Sequence, residues 1–553
     1  MSTESPTPPA EFAPLPTRCE VLIVGAGFGG IYALHRLRGL GFDAHVVEAG
    51  GGVGGTWYWN RYPGARCDVP SVQYSYSFDE DLQQDWVWTE RYAAQPEILA
   101  YIEHVVDRFD LASGITLNTR VAAADLDESG TSWTVRTDSG AVVQAKFLIA
   151  AVGGLSSPQI PDLPGIESFQ GEIHHPGAWP HDGVDLAGKR VGIIGTGSSG
   201  VQMIPLVAQE ADHLTVFQRT PCYSIPAGNR PLTEEELAQV KATYPELRQA
   251  GLRASNSQVY PTEGRPMLAD PPELRQEVLR RYWADGGLGI ARAYTDTSTD
   301  PVAGEYLSQF IRDRIADIVS DPDKREALTP RSFPFNGRRP TLDTNYYRTF
   351  NLPHVDLVDV RAHPITGLTP TGLRTDEAEY DLDLIVFATG YDAMTGSLFR
   401  LNVSGRDGRN LRDAWADGPQ TFLGLAVHQF PNFFVIAGPG SPSVLATVVL
   451  AIEQQVEWLG DLLVHARTVG ADSIEATPDA QEDWMHEVRT AYEKSAFNGV
   501  DSWYVGANIP GKPRVILPYA GGATTYRAVC DEVAAQGYRG LRLASVVQPS
   551  TNA

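Results

Sequence analysis

Two glycine-rich turns in this chain have the residue types and spacing to hold nucleotide phosphates. Gly25-Ala26-Gly27-Phe28-Gly29-Gly30 follows the apolar run Val21-Leu22-Ile23-Val24, and Gly195-Thr196-Gly197-Ser198-Ser199-Gly200 follows Val191-Gly192-Ile193-Ile194. Glycines so placed let a strand turn sharply into a helix. They also bring backbone N–H groups at the helix N-terminus against a pyrophosphate. Each turn is completed about twenty residues later by a second strand with its own terminal charge. Ala44-His45-Val46-Val47 ends in Glu48, whereas Leu214-Thr215-Val216-Phe217 ends in Gln218-Arg219-Thr220. A carboxylate accepts hydrogen bonds from an adenosine ribose and repels a 2′-phosphate; a guanidinium pairs with that phosphate in two parallel bonds. Gly25, Gly27, Gly30 and Glu48 therefore predict an FAD site. Gly195, Thr196, Gly197, Ser198, Ser199, Gly200, Arg219 and Thr220 predict an NADPH site. Two dinucleotides side by side imply electron transfer between them.

The elements that must position these residues are two strand–turn–helix–strand units. In the first, the helix Gly30–Leu40 carries Ile31, Leu34 and Leu37 at helical spacing. Further strand patterns occur at Trp133–Arg136, Ala145–Ala150, Val355–Val358 and Leu384–Gly390, and an apolar helix at Ser443–Leu463. From about Leu232 to Leu328 the texture changes to helix formers with charged faces. The expected fold class is α/β, with two Rossmann-like dinucleotide-binding domains and a helical insertion. The expected division is a disordered tail at 1–18, an FAD-binding domain at 19–152 and 391–553, an NADPH-binding domain at 153–225 and 332–390, and the insertion at 226–331. The glycine run Gly51-Gly52-Val53-Gly54-Gly55, leading into Thr56, Trp57, Tyr58 and Trp59, extends the first site. Its glycines allow close passage of a cofactor, and its aromatics can wall a flat ring.

At 553 residues, with 42% hydrophobic and 20% charged residues, the composition is that of a globular enzyme of two or three domains. A net charge of −24 argues against nucleic-acid partners, whose phosphates it would repel. The cysteines, Cys19, Cys67, Cys222 and Cys530, contain no close pair, which excludes a disulfide scaffold, a zinc ribbon and a dithiol relay. No secretory signal is visible, and the apolar stretch Phe433–Ile452 is broken by Gly438-Pro439-Gly440-Ser441-Pro442, against a membrane span. A cytoplasmic protein is expected.

Between the two units, Phe169, Gly171, His175, Trp179 and Pro180 match the pattern Phe-x-Gly-x-x-x-His-x-x-x-Trp-Pro/Asp. With this motif the chain resembles the type I Baeyer–Villiger monooxygenases, and most closely the branch of phenylacetone and steroid monooxygenases. The resemblance also covers Trp57 to Asp68, Phe387 to Ala393, Gly438 to Pro442 and Ser502 to Pro513. It implies that NADPH reduces FAD, that O2 forms a C4a-peroxyflavin, and that this peroxide converts a ketone to an ester or lactone, with cyclic or bulky hydrophobic ketones expected. By resemblance Arg339 is the active-site cation and Asp68 the carboxylate that holds it. A cation there would lower the pKa of the peroxide and stabilise charge on the adduct. Arg338 stands where the family usually has a lysine that helps select the 2′-phosphate. Arg66, Tyr74 and Trp503 join the cofactor contacts, and Ser443, Val444 and Leu445 the substrate pocket. His175 and Trp179 are expected to position the linker and to pack, not to react. Pro70 departs from the family pattern, where glutamate is common.

Three other readings compete. A flavin-containing monooxygenase oxidising nitrogen or sulfur shares both folds, but its motif ordinarily lacks the Trp179-Pro180 ending. A reductase passing electrons to a disulfide would need paired cysteines. A non-catalytic nucleotide sensor would bind both cofactors without turnover. The expected partners are a small ketone and O2, with no metal, and a monomer is favoured.

Overall fold

The computed structural model describes residues 12–545. It is a mixed α/β molecule built on two parallel-centred sheets. In the first, strands run in the order Val403–Ser404, Val121–Leu126, Trp133–Thr137, Val142–Ala150, Arg18–Val24, Ala44–Val47, Ile115–Thr116, and Phe433–Val435 also pairs with Val142–Ala150. Arg18–Val24 lies parallel to both of its neighbours. It is covered on both faces, which is why it reads as a continuous apolar run and not as an alternation. Val21 and Ile23 enter a core shared with the helices Phe28–Gly39 and Val448–Thr468. Leu22 and Val24 enter another, built around Trp133, Val135 and Phe433.

The second sheet is wholly parallel, in the order Val355–Asp359, His213–Gln218, Arg190–Ile194, Leu384–Phe387, Glu172–His174. The helix Ser198–Glu210 leaves its glycine turn. Between the strands Ser224–Pro226 and Thr341–Asp343 the chain is largely helical, including Glu234–Ala242, Pro272–Asp285 and Pro301–Ile318. Local chemistry fixes these starts: Thr233 and Glu236 form a reciprocal capping box, and the Asp300 carboxylate accepts from the N–H groups of Val302 and Ala303.

Three boundaries differ from the sequence reading. The first helix starts at Phe28, directly after Gly27. The apolar helix starts at Val448, not Ser443, because Ser443 has φ +41° and Ala446 is extended. The expected tail falls partly outside the described residues. From Phe12 onward the chain is held: the Ala13 N–H donates to Ile115 O at 2.9 Å, and its carbonyl accepts from Thr116 Oγ1 at 3.0 Å. Among the described residues, no helix is long and apolar enough to cross a membrane.

Candidate active site

The C-terminal ends of the central strands of both sheets open on one cavity of about 2030 Å³. Val24, Val47 and Ala151 approach it from the first sheet, and Ile194, Val360 and Ala388 from the second. Crevices at such strand ends are where α/β folds bind ligands.

Both glycine turns are shaped for a phosphate. Gly25 and Gly195 have φ +106° and +110°, a region that side chains avoid. A Cβ on Gly30 would lie 1.8 Å from Gly25 O, and one on Gly200 2.2 Å from Gly195 O. These two glycines pack helix on strand and do not line the cavity. Gly27 and Gly197 do, and nothing lies within 4 Å of a Cβ built on Gly197. Glu48 lines the cavity too, but its carboxylate already accepts from the N–H groups of Ala26 and Gly50, both at 2.7 Å. It braces its own turn, and each oxygen keeps an acceptor position for a ribose. Thr56, Trp57, Trp59, Arg66 and Tyr74 also line the cavity. Trp57 Nε1 donates to Tyr74 OH at 3.3 Å, while the Arg66 guanidinium is engaged by Glu90 and by Tyr92 O at 2.5 and 2.6 Å. Pro70 leaves the local turn intact, since its carbonyl accepts from the N–H groups of Gln73 and Tyr74 at 2.8 and 3.1 Å.

At the second turn, Ser198, Ser199, Arg219, Thr220 and Arg338 face the cavity. Thr196 Oγ1 donates to Gln218 Oε1 and Thr220 O, each at 3.3 Å, tying turn to strand end. The Arg338 guanidinium lies 4.3 Å from the Phe333 ring centroid, donates to Asp501 O, and has an Nε without a hydrogen-bond partner.

The cavity's central charge pair is Arg339 with Asp68. Arg339 Nε and Nη2 donate to the two carboxylate oxygens at 2.6 and 2.8 Å, and Nη1 donates to Val444 O at 3.3 Å. Three of its five N–H donors are engaged in this way, and the Tyr504 hydroxyl also lies within reach of the guanidinium. About a quarter of each side chain stays open, 24% and 26%. Burial opposes the charge on Arg339, but Asp68 more than offsets it, so the guanidinium pKa rises and the charge is permanent. Tyr504 beside it is pushed up to about 12 by burial, against the pull of Arg339, and stays a neutral phenol.

Phe169, Gly171, His175 and Trp179 do not line the cavity. Phe169 and Trp179 are buried in cores of the second sheet. A Cβ on Gly171 would lie 2.4 Å from Asp383 O. His175 Nδ1 accepts from the Gly177 N–H at 2.9 Å, so Nε2 carries the proton and donates to Gly390 O at 3.0 Å. Ser443 and Val444 line the cavity. Leu445 does not; it packs on the first-sheet core, turned there by the break at Ser443. Trp503 lies on the cavity wall within a C-terminal loop.

A family model described as pyridine nucleotide-disulphide oxidoreductase matches residues 22–252. A Baeyer–Villiger monooxygenase from Pseudooceanicola batsensis is 40% identical over 94% of this chain and 96% of its own. The chain belongs to the Baeyer–Villiger monooxygenases. A solved structure of oxidized steroid monooxygenase bound to NADP superposes with TM-score 0.90 at 48% identity, covering 96% of this chain and all of that one. A phenazine N-monooxygenase from Lysobacter antibioticus is 41% identical over 96% of this chain and 98% of its own.

The site of this Baeyer–Villiger monooxygenase includes residues that sequence reasoning missed. Arg361, just past the strand Val355–Asp359, lines the cavity beside Arg219. Ser502 and Asn508 line it from the C-terminal loop, and Ser502 Oγ and Asn508 Oδ1 are buried without hydrogen-bond partners. Unpaired buried polar atoms in a cavity wall suit a polar ligand. Ser502 and Asn508 fall within the Ser502–Pro513 stretch that carries the family resemblance, but no local pattern marks them individually, and none marks Arg361. The open space at Gly197, these atoms and the cavity size fit two bound dinucleotides.

Proposed function

We propose that the enzyme binds FAD at the Gly25–Gly30 turn and NADPH at the Gly195–Gly200 turn, and oxidises hydrophobic ketones to esters or lactones. The overall change is ketone, O2, NADPH and a proton giving ester, NADP+ and water. Bound FAD supplies the chemistry that activates O2 with electrons from NADPH. The protein's own contribution is position and charge. Glycine turns and Glu48 hold the first dinucleotide; Arg219, Thr220 and Arg338 hold the second. Arg339, fixed by Asp68 and Val444 O, presents its guanidinium on the cavity wall. Its charge stabilises the negative charge that develops on oxygen as a carbonyl carbon is attacked. Trp503 and the C-terminal loop exclude water. Val444, Ala446, Val448 and Ile452 give the cavity an apolar wall, which suits a hydrophobic ketone. The Arg339–Asp68 pair carries this reading.

The domain division proposed is a first-sheet FAD domain, a second-sheet NADPH domain and a helical insertion. The free thiols of Cys19, Cys67, Cys222 and Cys530 suit a reducing cytoplasm. A monomer is the proposed state.

The likeness to a phenazine N-monooxygenase sets up the alternative, oxygen transfer to nitrogen. A permanent cation favours anionic attack on a carbonyl; nitrogen oxidation requires an electrophilic oxygen. Incubating the holoenzyme with NADPH, air and a panel of cyclic, bulky and aromatic ketones, with phenazine alongside, separates the two by product mass. Esters from ketones are expected. N-oxide with no ester from any ketone would overturn the reading.

A further inference from the structure

Two oppositely charged side chains are buried behind the first glycine turn, and the chemistry described above uses neither. Arg248 lies on the helix Tyr244–Arg253 of the helical insertion, and Glu453 on the helix Val448–Thr468; they are 7% and 4% exposed. Taking a guanidinium out of water is costly unless its donors are met. Arg248 Nε donates to Gln83 Oε1 at 2.9 Å, and Nη2 to Ser75 Oγ and Tyr76 O at 2.8 and 3.2 Å. The guanidinium also lies 5.2 Å from the centroid of the Tyr244 ring, and Glu453 supplies the opposing charge.

Glu453 grips the next two residues of the same segment, accepting from the Ser77 N–H, Ser77 Oγ and the Phe78 N–H. Ser75 to Phe78 are thus clamped between a cation from the insertion and an anion from the first domain. This segment backs the cavity wall. Tyr74, immediately before it, lines the cavity and accepts from Trp57 Nε1. The Tyr76 hydroxyl donates at 2.6 Å to the carbonyl of Phe28, the first residue of the helix leaving the glycine turn, and Phe28 lines the cavity too. Ile452, beside Glu453, is another wall residue. The two helices approach closely: a Cβ on Gly251 would lie 3.3 Å from Leu450 Cδ1.

We propose that Arg248 is a positioning residue for the oxidation: from the insertion it fixes the Ser75–Phe78 segment and, through Tyr74 and Phe28, the cavity wall at the first glycine turn. This rests on the reading that FAD lies at that turn. Arg248 itself does not line the cavity, so its effect passes through the wall alone. A small displacement of that wall costs rate without removing any reacting group.

The test uses the holoenzyme and reads the visible circular dichroism of the bound flavin, which reports the surroundings of its ring, beside ester formed per NADPH consumed. Arg248→Met keeps the apolar stem and removes the donors. It should change the dichroism and lower ester per NADPH about threefold or more. Arg248→Lys should recover part of both. Tyr74→Ala opens the wall directly and should change the dichroism. Asp300→Ala removes a helix cap elsewhere in the insertion and should lower thermal stability without moving either readout. If Tyr74→Ala changes the flavin signal and Arg248→Met does not, the role of Arg248 is overturned and the FAD reading stands. If neither changes it, FAD does not lie against this wall, and both readings fall. If Asp300→Ala moves both readouts as far as Arg248→Met, lost stability accounts for the effect and the positioning role falls. Ser75→Ala, which deletes one acceptor and no charge, carries the test if Arg248→Met does not fold; a wild-type signal from it would then overturn the proposal.

Discussion

Lys512 Nζ donates to Asp392 Oδ1 at 2.6 Å and to Ala393 O at 2.7 Å, which ties the C-terminal loop to the segment leaving the second sheet. Asn508 Nδ2 adds a bond to Tyr391 O at 2.8 Å. Trp503, Ser502 and Asn508 are thus held on the cavity wall by a few polar contacts. Lys512→Met keeps the apolar stem but removes the donors, leaving Asp392 uncompensated. The loop should loosen and admit water, so that more of the NADPH consumed ends as hydrogen peroxide, several-fold by rough expectation. Peroxide and ester are assayed together; an unchanged ratio would remove the anchoring role.

Arg339→Ala deletes the cation while leaving both nucleotide turns intact. NADPH oxidation should persist with peroxide as its product, and the ester-forming rate should fall by about a hundredfold or more. Asp68→Asn should fall less, because Val444 O still positions the guanidinium. Ester formation at the wild-type rate from Arg339→Ala would show that the charge acts elsewhere.

His175 is neutral by construction, since protonating Nδ1 would set two N–H groups against each other at Gly177. Burial lowers its pKa, with the bond to Gly390 O opposing. A folded-state pKa below the unfolded value means that the unfolded chain takes up the proton first as pH falls. The stability His175 supplies is present above the ordinary histidine range and is lost as pH drops through it to the lowered value. Urea unfolding of wild type and His175→Gln between about pH 7 and pH 5 should show the gap narrowing toward acid. A gap independent of pH would contradict the lowered pKa of His175.

Glu453 carries the opposite sign. Its carboxylate accepts from the Ser77 N–H at 2.6 Å, Ser77 Oγ at 2.5 Å and the Phe78 N–H at 3.1 Å. Burial raises its pKa to about 7, against the pull of those bonds and of Arg248. Its stabilisation is complete below the unfolded value of 4.5 and is lost as pH rises through about 7. Relative to Glu453→Gln, wild type should lose on the order of 3 kcal/mol across that window. The same unfolding series reads this slope separately from that of His175; a flat difference would rule out the raised pKa.

Sequence reading succeeds here where the signal is local. A glycine turn, its strand and the charge at the next strand end lie within about thirty residues, so the α/β fold and the strands bearing Glu48 and Arg219 are legible. Pairing across the sheet is not. Arg361 reaches the Arg219 corner only because Val355–Asp359 runs beside His213–Gln218, an order with no local signature. The apolar run from Ser443 reads as one helix, yet positive φ at Ser443 and extended Ala446 break it and leave Leu445 half-buried against the first-sheet core. The strand-end position of Glu48 predicts a ribose partner, but strand periodicity carries no sign that its oxygens also accept from the N–H groups of Ala26 and Gly50.

The central claim is that this chain inserts an oxygen atom from O2 beside a ketone carbonyl. The most direct test supplies the holoenzyme with NADPH, a hydrophobic cyclic ketone and isotopically heavy O2, and weighs the product. One heavy oxygen atom should appear in the ester or lactone, with the other lost to water. NADPH consumed with all heavy oxygen recovered in peroxide, or a product carrying none, would contradict it.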